Sequence, residues 1–377
     1  MVQDAYEELM RYYEFPVGGE LPRRAEFKDY LGQMIAPDEL DVFFVLPFAG
    51  KVTYEELRAQ VKLPEDRLRK ILERLAPEGF IQAYDAPQGR LYERGNVSFM
   101  TEQQVRKDRD TPLRTFLAEF FNAFIEGRTR PFPNQTPYFR VVPTQGSLLS
   151  GPPARVVPVH VQVPDTRQVV PFEILSELLK TVEPIGVAQC YCRKAKRVIH
   201  QGCDHLLETC FVFDGIGKSL IECGIARQLS FGEAMEILRE CEQQGLVHQA
   251  DNAKEIHALC NCCSCCCVVL KAWNRGATNA GGPSRFVALL DQSKCSLRAS
   301  CVAACPTATL TVHDDALQIR TNTCIGCGLC VTACPEGALS LALRDAPPLV
   351  VDSHHELWDK ISNEVGSALF GSLPGQT

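Results

Sequence analysis

The chain has 377 residues, 45% of them hydrophobic and 23% charged, which is enough to build two or three packed domains. A net charge of -7 excludes a general nucleic-acid binder and leaves only recognition through a local basic face. Nineteen cysteines in a chain with no apolar run long enough to span a bilayer and no export-type h-region at its acidic start point to a cytoplasmic protein whose thiols hold metal, because reducing compartments do not sustain disulfide frameworks of that size.

The expected fold class is α+β in three parts: an N-terminal winged helix-turn-helix, a central Cys-rich α/β metal-binding domain and a C-terminal domain of β-hairpins and helices. The first module, with its flanking helices, takes residues 1–127. Within it, Asp38 to Phe48 reads as an apolar first helix, and Thr53 with Glu56 forms a capping box for a second, Tyr54 to Ala59. Pro64 opens a third, whose Leu68, Ile71, Leu72 and Leu75 make an inward stripe. Gly79 to Tyr84 and Arg90 to Tyr92 alternate as two strands joined by a wing over Asp85 to Gly89. The third helix offers Arg67, Arg69, Lys70 and Arg74, but Glu65, Asp66 and Glu73 answer them, so protein docking or homodimerisation is favoured over DNA binding. From Pro112 a helix carries Leu113, Phe116, Leu117, Phe120, Phe121 and Phe124 at helical spacing, a core stripe that packs on the winged module or on a second copy. Residues 128–171 are dense in Pro, with short runs such as Val156 to Val159, and read as an extended strap.

The metal-binding domain is expected over residues 172–275. A helix from Phe172 to Thr181 and a strand from Ile185 to Ala188 lead to Cys190 and Cys192, followed by Cys203 and Cys210. Ser230 and Glu233 form a second capping box, for a helix to Gln243, and a return strand starts at Leu246. Then come Cys260, Cys262, Cys263, Cys265, Cys266 and Cys267, six thiols in eight residues. Adjacent cysteines cannot all face one small ion, so the run serves more than one centre or a polynuclear one. Together with Cys190, Cys192, Cys203 and Cys210 it is expected to hold one or two iron–sulfur clusters, with structural zinc and a metallothionein-like store as alternatives. No ligand role is assigned to His200, His205, His248 or His257, and Cys223 and Cys241 read as small buried hydrophobes. Gly276, Gly281 and Gly282 read as a hinge.

The clearest stretch is Cys324-Ile-Gly-Cys327-Gly-Leu-Cys330-Val-Thr-Ala-Cys334-Pro335, an iron–sulfur ligand run in which three closely spaced thiolates wrap one cubane and a fourth, before Pro, reaches another cluster. A damaged counterpart, Cys295 to Pro306, keeps Cys295, Cys301 and Cys305 but has Arg298 at the position of the second thiol. From residue 284 to 343 the chain resembles the bacterial two-cluster ferredoxins, with strands at Phe286 to Leu290, Ala308 to Val312, Leu317 to Ile319 and Ala338 to Leu343. The resemblance implies crossed ligation: Cys305, Cys324, Cys327 and Cys330 on a 4Fe-4S cluster, and Cys295, Cys301 and Cys334 on a second site. Guanidinium only donates, so Arg298 cannot replace a thiolate. The second site is then a 3Fe-4S cluster, a 4Fe-4S cluster with an outside ligand, or vacant. The combination of parts also resembles uncharacterised iron–sulfur proteins of anaerobes, and that likeness brings no activity. Residues 344–377 read as a docking tail with Leu357, Trp358, Ile361 and Val365 on one helix face.

These parts imply an electron-transfer protein that passes single electrons between a redox partner and the central Cys-rich centre. A redox-sensing transcription regulator and a reductase with its own small substrate are the alternatives. No phosphate loop, dinucleotide fingerprint, nucleophile elbow or H-E-x-x-H helix is found.

Overall fold

A computed structural model describes residues 2–14, 20–47, 51–86, 89–107, 112–126, 134–149, 173–277 and 279–370. The chain forms two compact units, the first made of Met1–Thr129, Ala188–Cys203 and Gly215–Arg227, the second of the remainder. The wing tip at residues 87–88 and the Val156 to Val159 run lie outside the described residues.

In the first unit, helices Leu40–Val45, Tyr54–Gln60 and Glu65–Leu75 are followed by strands β2 (Ile81–Ala86) and β3 (Gly89–Arg94). A two-residue strand β1 (Val52–Thr53) pairs antiparallel with β3, giving the order β1-β3-β2. The expected capping box is present, Thr53 Oγ1 accepting from Glu56 N–H while the Glu56 carboxylate accepts from Thr53 N–H. Leu68, Ile71, Leu72 and Leu75 are buried, as their spacing requires. The Phe stripe of helix Pro112–Glu126 packs inside this unit: Phe120 stacks on Phe27 with ring centroids 4.5 Å apart, and Phe116 lies 6.0 Å from Tyr30. The same unit contains helix Tyr191–Val198, whose Arg193 is fully buried and whose Lys194 Nζ donates to Arg106 O.

The second unit is built on a sheet ordered β10-β4-β8-β9-β6-β5-β7. Its strands are β4 (Phe139–Val142), β5 (Ile185–Gln189), β6 (Glu208–Phe213), β7 (Ala226–Leu229), β8 (Val247–Asp251), β9 (Ala258–Cys262) and β10 (Gly281–Gly282). Leu175, Leu178, Phe211, Phe213, Leu238 and Leu259 are among the residues of its main core. Two expectations change here. The Pro-rich strap contributes β4, which pairs with β8 between Pro137 and Pro143, where proline borders a strand without interrupting its hydrogen bonds. Gly281 and Gly282 are a parallel strand on β4 and not a hinge; a Cβ at Gly281 would stand 2.5 Å from Val269 Cγ1, so only glycine fits. The helix expected from Phe172 is shorter, Leu175–Leu179.

Helix Phe231–Gln243 begins at the predicted Ser230 and Glu233 capping box. Ser230→Ala is expected to cost this helix about 1 kcal/mol, read as roughly fivefold faster amide exchange in its first turns, with iron content unchanged.

Residues 286–343 fold as two antiparallel pairs, β11 (Phe286–Leu290) with β14 (Leu339–Leu343) and β12 (Leu310–His313) with β13 (Ala316–Ile319), plus one-turn helices Ser300–Ala303 and Leu329–Thr332. This hairpin and helix arrangement agrees with the fold that the resemblance to two-cluster ferredoxins implies. In the closing helix His354–Phe370, Leu357 and Ile361 are buried against Ala253 and Val351. Trp358, expected on that face, is 43% exposed, and the side chain of Val365 lies outside the described residues. Among the described residues no helix is long and apolar enough to cross a membrane.

Candidate metal centres

The intact ligand run wraps a cavity lined by Cys305, Cys324, Cys327 and Cys330 with Ala288, Leu310 and Leu341. The four thiols come from both runs, as crossed ligation requires. Gly326 and Gly328 have φ of 65° and 81°. A Cβ on Gly326 would fall 2.1 Å from Phe286 O, and one on Gly328 2.0 Å from Ser147 Oγ, so both glycines serve the left-handed turn and close packing together. Burial pushes the Cys327 thiol up to about 12, with Cys305 and Cys324 adding to the shift while the Leu329 N–H opposes it. Cys330 is raised further for the same main reason. Gathering thiolates in an apolar cavity is unfavourable unless a cationic centre balances them. Four sulfur donors with no oxygen or imidazole among them fit a 4Fe-4S cubane. Thr309 N–H donates to Cys305 Sγ at 3.2 Å, the kind of outer hydrogen bond that tunes such a centre.

The damaged run forms a second cavity, lined by Cys295, Cys301, Cys334, Arg298 and Glu336 among others. Leu297 and Ala299 occupy the places of Gly326 and Gly328, and they hold φ of 57° and 59°. Each left-handed residue with a Cβ costs about 1 kcal/mol or more, so the loop keeps a cluster-wrapping path at the expense of backbone strain. Arg298 lines this cavity with its side chain 68% exposed, and its Nε lies 2.7 Å from Glu336 Oε1.

The six-cysteine run divides between two geometries. Cys260 and Cys262 stand on β9, and Cys267 precedes helix Val268–Asn274 after a turn closed by Cys267 N–H donating to Cys263 O at 3.1 Å. Hydrogen bonds to the Cys260 and Cys267 thiols, then burial, raise the Cys262 thiol, which places these three sulfurs together. Gln249 Nε2 donates to Cys267 Sγ at 3.6 Å. Cys263 and Cys265 go elsewhere: their sulfurs and one His205 nitrogen lie within 4.8 Å of one another. His205 is therefore a candidate ligand that the sequence reading left aside; its place two residues after Cys203 was the available signal. Cys266 and Cys210 are buried in the same unit, whereas Cys190, Cys192 and Cys203 belong to the first unit, where Arg197 Nε donates to Cys203 O at 2.9 Å. Cys241 is buried within its helix, whereas Cys223, expected to be buried, is half-buried, and burial raises its thiol.

The loop of the intact site and the central run share one apolar core. Ile325, Cys327 and Leu329 pack with Cys262, Cys267, Leu270, Val141 and Val247. Thr144 N–H donates to Cys327 O at 2.9 Å, and Ser284 Oγ to Gly326 O at 2.7 Å, fixing the loop against the sheet.

Residues 288–348 match the 4Fe-4S dicluster domain family. Similar stretches occur in hydrogenase-4 component A of Escherichia coli (strain K12), 45% identical over 42 residues, which are 11% of this chain and 20% of that protein. They also occur in AegA of the same organism, named as an oxidoreductase, 40% identical over 45 residues, 12% of this chain and 7% of that one. A third, UacF, also of that organism and named as an oxidoreductase, is 44% identical over 43 residues, 11% of this chain and 7% of that one. The chain thus spans a fifth or less of the length of these curated relatives. No solved structure matches. The last quarter of this sequence therefore carries a 4Fe-4S dicluster domain, of a kind shared with hydrogenase and oxidoreductase components.

Proposed function

We propose that the protein is an electron-transfer component in which the dicluster domain is wired to a further iron–sulfur centre built on Cys260, Cys262 and Cys267. The observation that carries this reading is the shared core of Cys327 with Cys262 and Cys267, which puts the ligand loop of one site against the ligands of the other. A 4Fe-4S cluster, when bound, takes up and releases one electron at a time. The chain's own residues supply the remainder: Thr144 and Ser284 hold the Cys327 loop, buried Val141 and Leu270 exclude water between the two ligand sets, and Gln249 donates to Cys267. A partner oxidoreductase is the electron donor or acceptor, in keeping with the names of the relatives.

The first unit is read as a winged-helix module used for protein docking. Its third helix supports that over DNA binding, because Arg67 lies 2.6 Å from Asp38, Arg69 lies 2.7 Å from Glu65, and Arg74 pairs with buried Glu39. Cations engaged in this way have little to offer phosphates.

The test is iron and acid-labile sulfide analysis of the anaerobically purified full chain. Cys262→Ala is expected to lower the iron count by about four atoms and to leave the dicluster EPR signals in place. Stoichiometric zinc without sulfide in the central domain would overturn the wiring.

A further inference from the structure

Apart from all these cysteines, the second unit gathers Asp251, His257 and His354. One ligand atom from each lies within 4.8 Å of the others. The three come from the end of β8, the turn before β9 and the first position of the helix His354–Phe370. Two imidazoles and a carboxylate form a hard-to-borderline donor set, unlike the all-thiolate cavities. We propose that Asp251, His257 and His354 bind a single divalent transition-metal ion, of the manganese, ferrous iron or zinc kind, at a site separate from the iron–sulfur centres.

Asp251 supplies the second observation. It is fully buried, and its Oδ2 accepts from His257 N–H at 2.5 Å and Ala258 N–H at 3.1 Å. Its Oδ1 is buried with no hydrogen-bond partner among the described residues. The buried Arg140 guanidinium attracts Asp251 but does not fill that oxygen, since Arg140 Nη2 donates to Ala253 O at 3.3 Å. A buried carboxylate oxygen left open in this way is costly unless something cationic meets it. The two imidazole rings stand perpendicular with centroids 4.2 Å apart, close enough for both to turn a nitrogen toward one ion.

The hydrogen bonds of His354 assign its ligand atom. Tyr138 Oη lies 3.2 Å from its Nε2, and Trp358 Nε1–H donates to the same nitrogen at 3.1 Å. Because both of these contacts fall on Nε2, we take Nδ1 as the ligand atom. Binding there moves the ring proton to Nε2, where the Tyr138 oxygen accepts it, and the Trp358 N–H loses its acceptor. Trp358 thus opposes the ion, whereas Tyr138 supports it. With three protein ligands, the ion keeps coordination positions for water or a small ligand.

Manganese(II) is the probe, because it has little affinity for thiolate and its free ion is counted by room-temperature EPR, where iron–sulfur signals are broadened away. The full, cluster-loaded chain is expected to sequester one equivalent. Asp251→Asn, which keeps an acceptor for the two backbone N–H groups, and His354→Gln should each weaken uptake at least about tenfold, with the iron–sulfur absorption unchanged. Trp358→Phe should tighten it about fivefold, since it removes one competing hydrogen bond of about 1 kcal/mol. A structural role alone would not improve binding in that variant. Absence of uptake, or uptake equal in the native chain, Asp251→Asn and His354→Gln, would overturn the site and leave a hydrogen-bonded network. Failure of Trp358→Phe to tighten uptake would overturn the Nδ1 assignment.

Discussion

Cys327→Ala is expected to abolish the reduced-state EPR signal of a low-potential cubane and to lower the iron count by about four atoms. Cys327 and Cys330 are the deepest thiols of the intact cavity, and both are raised far above their ordinary range by burial. A thiol in that setting stays protonated unless a cationic centre claims it, so the site is poor as a bare thiol cluster and well suited to holding iron. The effect should extend beyond the cavity. Cys327 also lies in the core with Cys262 and Cys267, so a cluster in the central domain should be reduced more slowly in the variant although its own ligands are intact. Substitution of Cys295 should leave that rate nearly unchanged, because Cys295 packs only in the core of the dicluster domain. Zinc at the Cys327 site, or an iron count and EPR spectrum that Cys327→Ala leaves unchanged, would sink the reading.

What the sequence disclosed and what it concealed follow from contact range. The strand Phe286–Leu290 has the predicted boundaries, and β14 differs by one residue, because alternation and ligand spacing are local signals read along one stretch. Both capping boxes were legible for the same reason, each being closed within three residues. The central sheet was legible only in part: β5 and β8 lie where strands are expected from Ile185 and Leu246, but β4 and β10 are not announced. Its strand β10 is Gly281–Gly282, which has no side chains to announce a strand, and its partner β4 lies in a Pro-rich stretch where composition argues for an irregular strap. Their pairing rests on close packing against Val269 and Pro137, visible only in three dimensions. His205 was passed over as a lone histidine because Cys263 and Cys265 are distant in sequence, and the grouping of Asp251 with His257 and His354 joins β8 to the closing helix. By contrast, the expectation that the six-cysteine run serves more than one centre needs no distant contact, since adjacent cysteines cannot all face one small ion; of the six, Cys260 and Cys262 stand on β9.

Arg298→Cys is expected to rebuild the missing corner of the first site. The loop is already shaped for it: Leu297 and Ala299 take the left-handed angles that Gly326 and Gly328 take around Cys327, so a thiol at position 298 would start from a ligand-like backbone position. Arg298 itself is held outward by Glu336, and its removal vacates no buried contact. On the reading that the native site holds a 3Fe-4S cluster, the oxidised protein shows the near-isotropic EPR signal of that species, whereas oxidised cubanes are silent. The variant should lose this signal and gain about one iron atom. Its potential should also fall, by on the order of 100 mV, because a guanidinium is removed, Glu336 is left without its partner and a fourth thiolate is added. The strain at Leu297 and Ala299 gives a second handle. Replacing both with Gly in the Arg298→Cys background should raise cluster occupancy without altering the signal, since it relieves about 1 kcal/mol or more at each position and touches no ligand. An oxidised native protein without the isotropic signal, and with no gain of iron in Arg298→Cys, would rule out the three-iron site.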